Sequence, residues 1–189
     1  FYASVINAGD GYNENPGQSL LDLLTIKERK GSFEGLKVAI IGDLLHSRVS
    51  KSNIWGLTKL GAEVCVSGPP TLLLPGIEKF GVQVHYDVRE AVNQADVILT
   101  TRMRMEAQDK TFLPSLDEYK RFFRIDHNLL RYAKEDAIVM HPGPIQRGIE
   151  ISDGVIDSPQ CIINDQIANS VAVRMAMFYI LSQMGGALA

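Results

Sequence analysis

Charged side chains follow two predicted strands of this chain, and a proline-rich turn follows a third. The three segments, residues 42–48, 100–104 and 140–148, each come directly after an apolar run typical of a buried strand. Ligands of a parallel sheet bind outside the carboxyl ends of its strands, so these segments are where chemistry is expected. Arg48 and Arg102 form a forked donor set suited to carboxylates, because a guanidinium holds a carboxylate through two parallel charge-assisted bonds. The sequence therefore predicts a site for a small anion.

The third segment contains the turn His141-Pro142-Gly143-Pro144. A buried strand that stops at two prolines flanking a glycine leaves a rigid loop whose carbonyls have few backbone partners. A polar ligand can bind such carbonyls. The loop is therefore a candidate wall of the predicted site.

The elements that would position these segments alternate between strand and helix. This alternation predicts an α/β fold with a three-layer, doubly wound, mostly parallel sheet. The strands are predicted at residues 4–7, 37–42, 63–68, 82–85, 96–100 and 137–140, and the helices at 16–26, 49–60, 76–80, 88–94 and 162–182. The alternation breaks at residues 103–120, a polar stretch longer than most loops, which favours a mobile functional segment.

Composition excludes several classes of function. The net charge is −3, and no basic cluster marks a nucleic-acid surface. Cys65 and Cys161 lie far apart, so the sequence indicates no zinc site and no structural disulfide. No apolar stretch approaches the length of a membrane span, and we expect a cytoplasmic protein. The chain begins at Phe1 with a strand-like opening, which suggests that it starts inside a larger fold.

Four motifs together resemble those of the aspartate carbamoyltransferase family, whose members join carbamoyl phosphate to L-aspartate in pyrimidine synthesis. They lie in the family's order and at its intervals, at residues 5–11, 42–48, 101–106 and 141–148. The related ornithine enzymes typically carry a cysteine before the proline of the last motif, where this chain has His141. The resemblance therefore favours aspartate as the substrate, with an ornithine-type carbamoyltransferase as a weaker alternative.

The resemblance implies a role for each matching residue. Arg48 and Arg102 match arginines that bind the aspartate carboxylates. Gln18 matches a glutamine that contacts the carbamoyl group, and Gly143 and Pro144 match positions whose carbonyls face its amino group. The protein's task would be to orient two anions and to stabilise the oxygen charge that develops. No metal and no cofactor is implied.

Two departures from the family pattern bear on this expectation. Asn15 replaces the histidine that hydrogen-bonds the carbamoyl oxygen. An asparagine can donate one bond but cannot be protonated, and loss of one oxyanion donor costs roughly 3 kcal/mol, so we expect a sharply reduced rate. Arg104 and Ala107 stand where relatives often have glutamine and arginine, which concerns closure of the mobile segment over the substrate.

The resemblance also implies a domain division. Residues 1–32 would be the tail of a carbamoyl-phosphate domain, residues 35–165 the aspartate domain, and residues 166–189 a helix returning to the first domain. The family's Ser-Thr-Arg-Thr phosphate motif is not found in the 189 residues. We therefore expect negligible activity from this chain alone. Its expected partners are L-aspartate, carbamoyl phosphate, the missing N-terminal domain and further copies of itself, as a trimer.

Other readings of the sequence lead to other functions. A dinucleotide-binding domain would fit the sheet pattern, but the first turn lacks the Gly-x-Gly-x-x-Gly spacing. A non-catalytic aspartate-binding or assembly module remains open. Among single residues, Asp10 and Asp43 are expected to bond their own turns. We expect His141 to cap its strand by bonding a carbonyl, and His46 either to contact substrate or to line its turn.

Overall fold

Five parallel strands form the centre of the computed structural model, which describes residues 4–103 and 115–186, and side chains up to residue 183. The strands are β1 (Lys37–Ile41), β2 (Glu63–Ser67), β3 (Gln83–Val84), β4 (Val97–Thr100) and β5 (Ile138–Met140). Their order in the sheet is β3-β2-β1-β4-β5, and every pairing among them is parallel. The predicted α/β, doubly wound fold is confirmed.

Helices cover both faces of this sheet. The α-helices are α1 (Pro16–Lys30), α2 (Arg48–Lys59), α3 (Val88–Val92), α4 (Leu116–Phe123), α5 (His127–Leu130), α6 (Asp153–Ile156) and α7 (Ile163–Gly186). Short 3-10 turns lie at Pro70–Leu72 and Ile77–Phe80. The second of these replaces the helix predicted at residues 76–80, because Gly76 and Gly81 bound it in the left-handed region and leave only four residues between them.

The strands separate two hydrophobic cores because alternate side chains point to opposite faces. Val38 and Ile40 of β1 join a core with residues of α1 and α2. Ala39 and Ile41 join a second core with residues of α3, α5 and α6. Burial on both faces explains why the strands are nearly continuous runs of apolar residues.

Two predicted elements differ in the structure. Residues 4–7 form no strand, and Val5 is 91% exposed, because no described strand lies beside them. Of the polar stretch 103–120, residues 104–114 lie outside the described part, as do the departures noted at Arg104 and Ala107. Its last residues are not a mobile loop but the start of α4, whose Tyr119 is buried against Met103.

Helices α1 and α7 pack together through polar contacts. The amide of Asn169 donates to Thr25 Oγ1 at 3.0 Å, and Arg29 Nε donates to Asp165 Oδ2 at 2.8 Å. Three apolar residues of α7, Val171, Met175 and Phe178, are all more than half exposed. The division of the chain into three parts stays a prediction.

Candidate functional site

The candidate site is a cavity of about 280 Å³ at the carboxyl ends of the strands. Strand β1 is followed in the chain by its neighbour β2, whereas β4 and β5 lie on its other side, so the order reverses between β1 and β4. Such a switch point is where open α/β sheets bind ligands. All six residues predicted for the site line this cavity: Asn15, Gln18, Arg48, Arg102, Gly143 and Pro144.

Close backbone packing holds the ends of β1 and β4 together at the cavity. Gly42 has a φ of +126°, and a Cβ there would lie 2.3 Å from Thr101 Oγ1. The same hydroxyl accepts a hydrogen bond from the backbone N–H of Asp43 at 2.7 Å. Only glycine fits at this position, because a Cβ would clash with the Thr101 hydroxyl. Gly42 therefore sets the position at which the segment after β1 begins.

Asp43 and His46 form one side of that segment. The carboxylate of Asp43 is buried, and its Oδ1 accepts from the backbone N–H of His46 at 3.0 Å, which confirms the predicted turn role. Its Oδ2 lies 3.0 Å from His46 Nδ1. The ring of Tyr12 meets the imidazole edge-on at 5.3 Å. His46 thus both lines its turn and faces the cavity, held in one orientation.

Arg48 is the first residue of α2, and two sources of positive charge lie there: its guanidinium and the start of the helix. Ser47 caps the helix by accepting from the backbone N–H of Ser50 at 3.1 Å. The helix dipole therefore adds a partial positive charge beside the guanidinium. The guanidinium lies over Gly9, where a Cβ would be 2.7 Å from Arg48 Cζ. Within residues 4–103 and 115–183, Arg48 makes no ion pair, so its charge is available to an anion.

Arg102 follows β4, and a buried carboxylate fixes the backbone beyond it. Glu150 Oε1 accepts from the N–H of Met103 at 3.0 Å, and Oε2 accepts from the N–H of Gln146 at 2.9 Å. Burial raises the pKa of Glu150, while these two N–H groups and Arg102 oppose the shift. Glu150 thereby ties the arginine segment to the proline loop. The sequence analysis missed it, because a single glutamate between Ile149 and Ile151 gives no signal of its own burial.

The proline loop is braced by His141. Its side chain is buried, and Nδ1 accepts a hydrogen bond from the N–H of Gly143 at 2.9 Å. The prediction that His141 bonds a carbonyl is wrong, because the lone pair of a neutral imidazole faces an amide. Burial, with a smaller effect from Arg102, lowers the pKa of His141 to about 4, so the ring is neutral at pH 7. The Gly143–Pro144 peptide is cis, and both residues are exposed at the cavity.

Asn15 and Gln18 enter the cavity from the start of α1. Asn15 Oδ1 caps the helix by accepting from the backbone N–H of Gln18 at 3.3 Å, which leaves Nδ2 without a hydrogen-bond partner among the described residues. Gln18 Nε2 donates to Asp22 Oδ1 at 3.0 Å, which leaves Oε1 to face a ligand. The two amides therefore present one donor and one acceptor.

Five further residues line the cavity without having been placed in the predicted ligand set: Asp43, His46, Ser47, Val49 and Pro142. Their signal in the sequence is position: Asp43, His46 and Ser47 lie in the segment after β1, Val49 directly follows that segment, and Pro142 lies in the segment after β5. Among the described residues, no group of three His, Cys, Asp or Glu side chains is placed to hold a metal ion. The described helices include none with the length and apolarity to span a membrane.

Comparison with known proteins gives consistent results. A family model described as "Aspartate/ornithine carbamoyltransferase, Asp/Orn binding domain" matches residues 34–181. An aspartate carbamoyltransferase catalytic subunit of Ruminiclostridium cellulolyticum is 58% identical over 97% of this chain and 58% of its own length. One from Acetivibrio thermocellus is 58% identical over 96% of this chain and likewise 58% of its own length. The chain thus spans a little over half of these relatives.

Solved structures with this fold include both aspartate and ornithine carbamoyltransferases. Aspartate transcarbamoylase from Trypanosoma cruzi, in complex with N-(phosphonacetyl)-L-aspartic acid, superposes with a TM-score of 0.78 at 34% identity, over 92% of this chain and 57% of the other. Ornithine carbamoyltransferase from Gloeobacter violaceus gives 0.79 at 30% identity, over 94% and 61%. The fold is common to both substrate classes.

Proposed function

This chain belongs to the aspartate/ornithine carbamoyltransferase family, and we propose that it supplies the aspartate-binding half of a carbamoyltransferase active site. The reaction would transfer the carbamoyl group of carbamoyl phosphate to the amine of L-aspartate, giving N-carbamoyl-L-aspartate and phosphate. The observation that carries the proposal is the convergence of all six predicted residues on one cavity at the switch point of the sheet.

The residues divide the work between the two substrates. Arg48 and Arg102 would hold the two carboxylates of aspartate and so aim its amine at the carbamoyl carbon. Gln18 Oε1 and the carbonyls of Gly143 and Pro144 would accept from the carbamoyl NH₂. In the reaction, the amine lone pair would form the new C–N bond and the C–O bond to phosphate would break with its electron pair. The departing phosphate would take up the proton that the amine loses.

Asn15 would donate Nδ2–H to the carbamoyl oxygen as negative charge develops there. An amide donor makes a neutral hydrogen bond, which stabilises an oxyanion less than a charged donor does. The groups that hold the phosphate would come from the N-terminal domain, and the complete enzyme would be a homotrimer. We therefore propose that this chain alone has negligible activity.

Aspartate is the better substrate for this site on charge. Two guanidinium groups match a dicarboxylate, whereas the second would repel the side-chain ammonium of ornithine. The curated relatives at 54–58% identity are also named as aspartate enzymes, and the ornithine structures are 27–31% identical.

The test is binding of N-(phosphonacetyl)-L-aspartate to the full chain by calorimetry, followed by complementation. Adding the N-terminal domain of the Ruminiclostridium relative should restore formation of N-carbamoyl-L-aspartate, measured by its ureido colour reaction. Binding of L-aspartate without any recovery of activity would favour a non-catalytic module instead. If neither N-(phosphonacetyl)-L-aspartate nor L-aspartate binds, the proposed site is rejected.

A further inference from the structure

Asp22 is a buried carboxylate that the proposed chemistry does not use. It lies on α1, one turn after Gln18, and is 0% exposed. Its Oδ1 accepts from Gln18 Nε2 at 3.0 Å and from Gln166 Nε2 at 2.8 Å, and its Oδ2 accepts from Asn53 Nδ2 at 2.8 Å. Three helices, α1, α2 and α7, therefore meet at one carboxylate. Its hydrogen-bond donors are neutral carboxamides.

The contacts of Asp22 continue to the other wall of the cavity. Gln166 donates to Asp22 and accepts, through Oε1, from the backbone N–H of His141 at 3.0 Å. His141 in turn accepts from the N–H of Gly143 at 2.9 Å. One unbroken series of hydrogen bonds thus runs from Gln18 through Asp22 and Gln166 to the proline loop. Gln166 itself is buried, so solvent does not replace these bonds.

We propose that Asp22 is a positioning residue that sets the acceptor geometry for the carbamoyl group at both walls of the cavity. The inference rests on the proposed function and names the residue that organises one end of that site. Asp22 acts on Gln18 directly and on the loop at Gly143 and Pro144 through Gln166. The aspartate end, at Arg48 and Arg102, lies outside this hydrogen-bond series.

The chemistry of the carboxylate explains how it sets orientation. An ionised carboxylate can only accept hydrogen bonds, so each amide that meets it must present its NH₂ group. Gln18 is thereby held with Oε1 toward the cavity, and Gln166 with Oε1 toward His141. Without the carboxylate, the Gln18 amide is free to turn, and its NH₂ would then face the NH₂ of the carbamoyl group. Gln18 would then present a hydrogen-bond donor where the carbamoyl NH₂ group needs an acceptor.

A measurement that separates the two ends of the site tests this role. Binding of L-aspartate reports on the arginine end, and binding of N-carbamoyl-L-aspartate reports on both ends. We expect Asp22→Ala in the full chain to weaken N-carbamoyl-L-aspartate binding roughly 10-fold, as expected for the loss of one or two hydrogen bonds. L-aspartate binding should change less than about twofold. Titration followed by two-dimensional NMR suits ligands of modest affinity.

Asn169→Ala is the matched control. Asn169 also bridges α7 to α1 through a carboxamide, at Thr25 Oγ1, one helical turn beyond Gln166, and it does not line the cavity. Its removal should leave the ratio of the two affinities unchanged. A loss of both ligands in equal proportion in Asp22→Ala would mean that Asp22 only stabilises the fold, and would overturn the proposal.

Two conservative variants keep the test decisive should Asp22→Ala unfold. Asp22→Asn should retain the wild-type ratio, because Asn53 Oδ1 has no partner in the described residues and can turn to accept from the new amide. Gln166→Leu preserves volume but cuts the link to His141. It should weaken N-carbamoyl-L-aspartate binding about fivefold and speed hydrogen exchange at the Gly143 amide.

The outcomes separate this inference from the proposed function. If the unmodified chain binds neither ligand, the proposed function fails and the inference fails with it. If the unmodified chain binds both ligands and the affinity ratio is the same in Asp22→Ala and Gln166→Leu, only the positioning role is rejected.

Discussion

Two cavities of this molecule are lined by arginines, and Arg89 and Arg124 of the larger differ from Arg48 of the smaller in their carboxylate partners. The larger, of about 860 Å³, lies among α3, α4 and α5. There Arg89 Nε donates to Asp87 Oδ1 at 3.0 Å, and Arg124 Nη2 lies 3.8 Å from Asp126 Oδ2. In the smaller cavity, of about 280 Å³, Arg48 has no carboxylate partner within the described residues.

Arg48, with no paired carboxylate among the described residues, stands at a helix start, and we take this available charge, rather than cavity volume, to indicate the ligand site. A guanidinium already paired with a carboxylate has its charge and its donors largely occupied, so an incoming anion gains little from it. A guanidinium at a helix start, with no paired acid, gains most when an anion arrives. Arg48→Ala and Arg89→Ala test this contrast, and an Asp22 variant tests the buried charge beside the smaller cavity. The three predictions follow from the largest expected effect to the smallest.

Arg48→Ala should cause the largest loss. Removing a bidentate, charge-assisted contact costs about 4 kcal/mol, or about 1,000-fold in affinity. Calorimetry with N-(phosphonacetyl)-L-aspartate measures it directly, with circular dichroism to show that α2 is intact. Retention of affinity within tenfold of the unmodified chain would mean that Arg48 does not hold a carboxylate.

Buried ionisable groups around the smaller cavity predict an unusual pH response. Burial raises the pKa of Asp22 from 3.8 to about 6, so its ionisation costs stability as the pH rises from 4 to 6. His141 acts in the opposite direction, because its lowered pKa makes the native state gain stability between pH 4 and 6.5. In the unmodified chain the two effects largely offset each other.

Asp22→Asn should remove the effect of Asp22 on the pH dependence of stability and leave that of His141. Its free energy of unfolding should rise relative to that of the unmodified chain by roughly 3 kcal/mol between pH 4 and pH 7, since two pKa units correspond to that amount. Urea unfolding at several pH values provides the measurement. Parallel stability curves for the two proteins would show that burial does not raise the pKa of Asp22.

Arg89→Ala, in the larger cavity, should cause the smallest effect. Arg89 and Asp87 form an exposed ion pair two residues apart, and such pairs add little to stability. Affinity for N-(phosphonacetyl)-L-aspartate should change less than about twofold. A loss comparable to that of Arg48→Ala would show that the larger cavity contributes to ligand binding and would break the comparison.

Sequence reasoning pointed to the segments around the candidate cavity because their signals are local. Buried strands are continuous apolar runs, and the residues after each run can be read directly, which is how Arg48, Arg102 and the proline loop were found. Helices with apolar residues at helical spacing were found for the same reason. The bounds of α2 differ from the predicted ones by one residue at each end. The strand at residues 4–7 failed because a strand needs a partner, which local pattern does not supply.

The sequence alone determined the fold class and the segments that reach the candidate cavity, and its resemblance to the family pointed to the six residues that line that cavity. Only the tertiary structure decided the strand order that places those segments at one switch point, and the buried hydrogen bonds of Asp22, Glu150 and His141. The physical reason is that burial of a polar side chain depends on elements distant in the chain. Asp22 is ordinary on its own helix, and becomes a buried acceptor only because Asn53 and Gln166 arrive from α2 and α7.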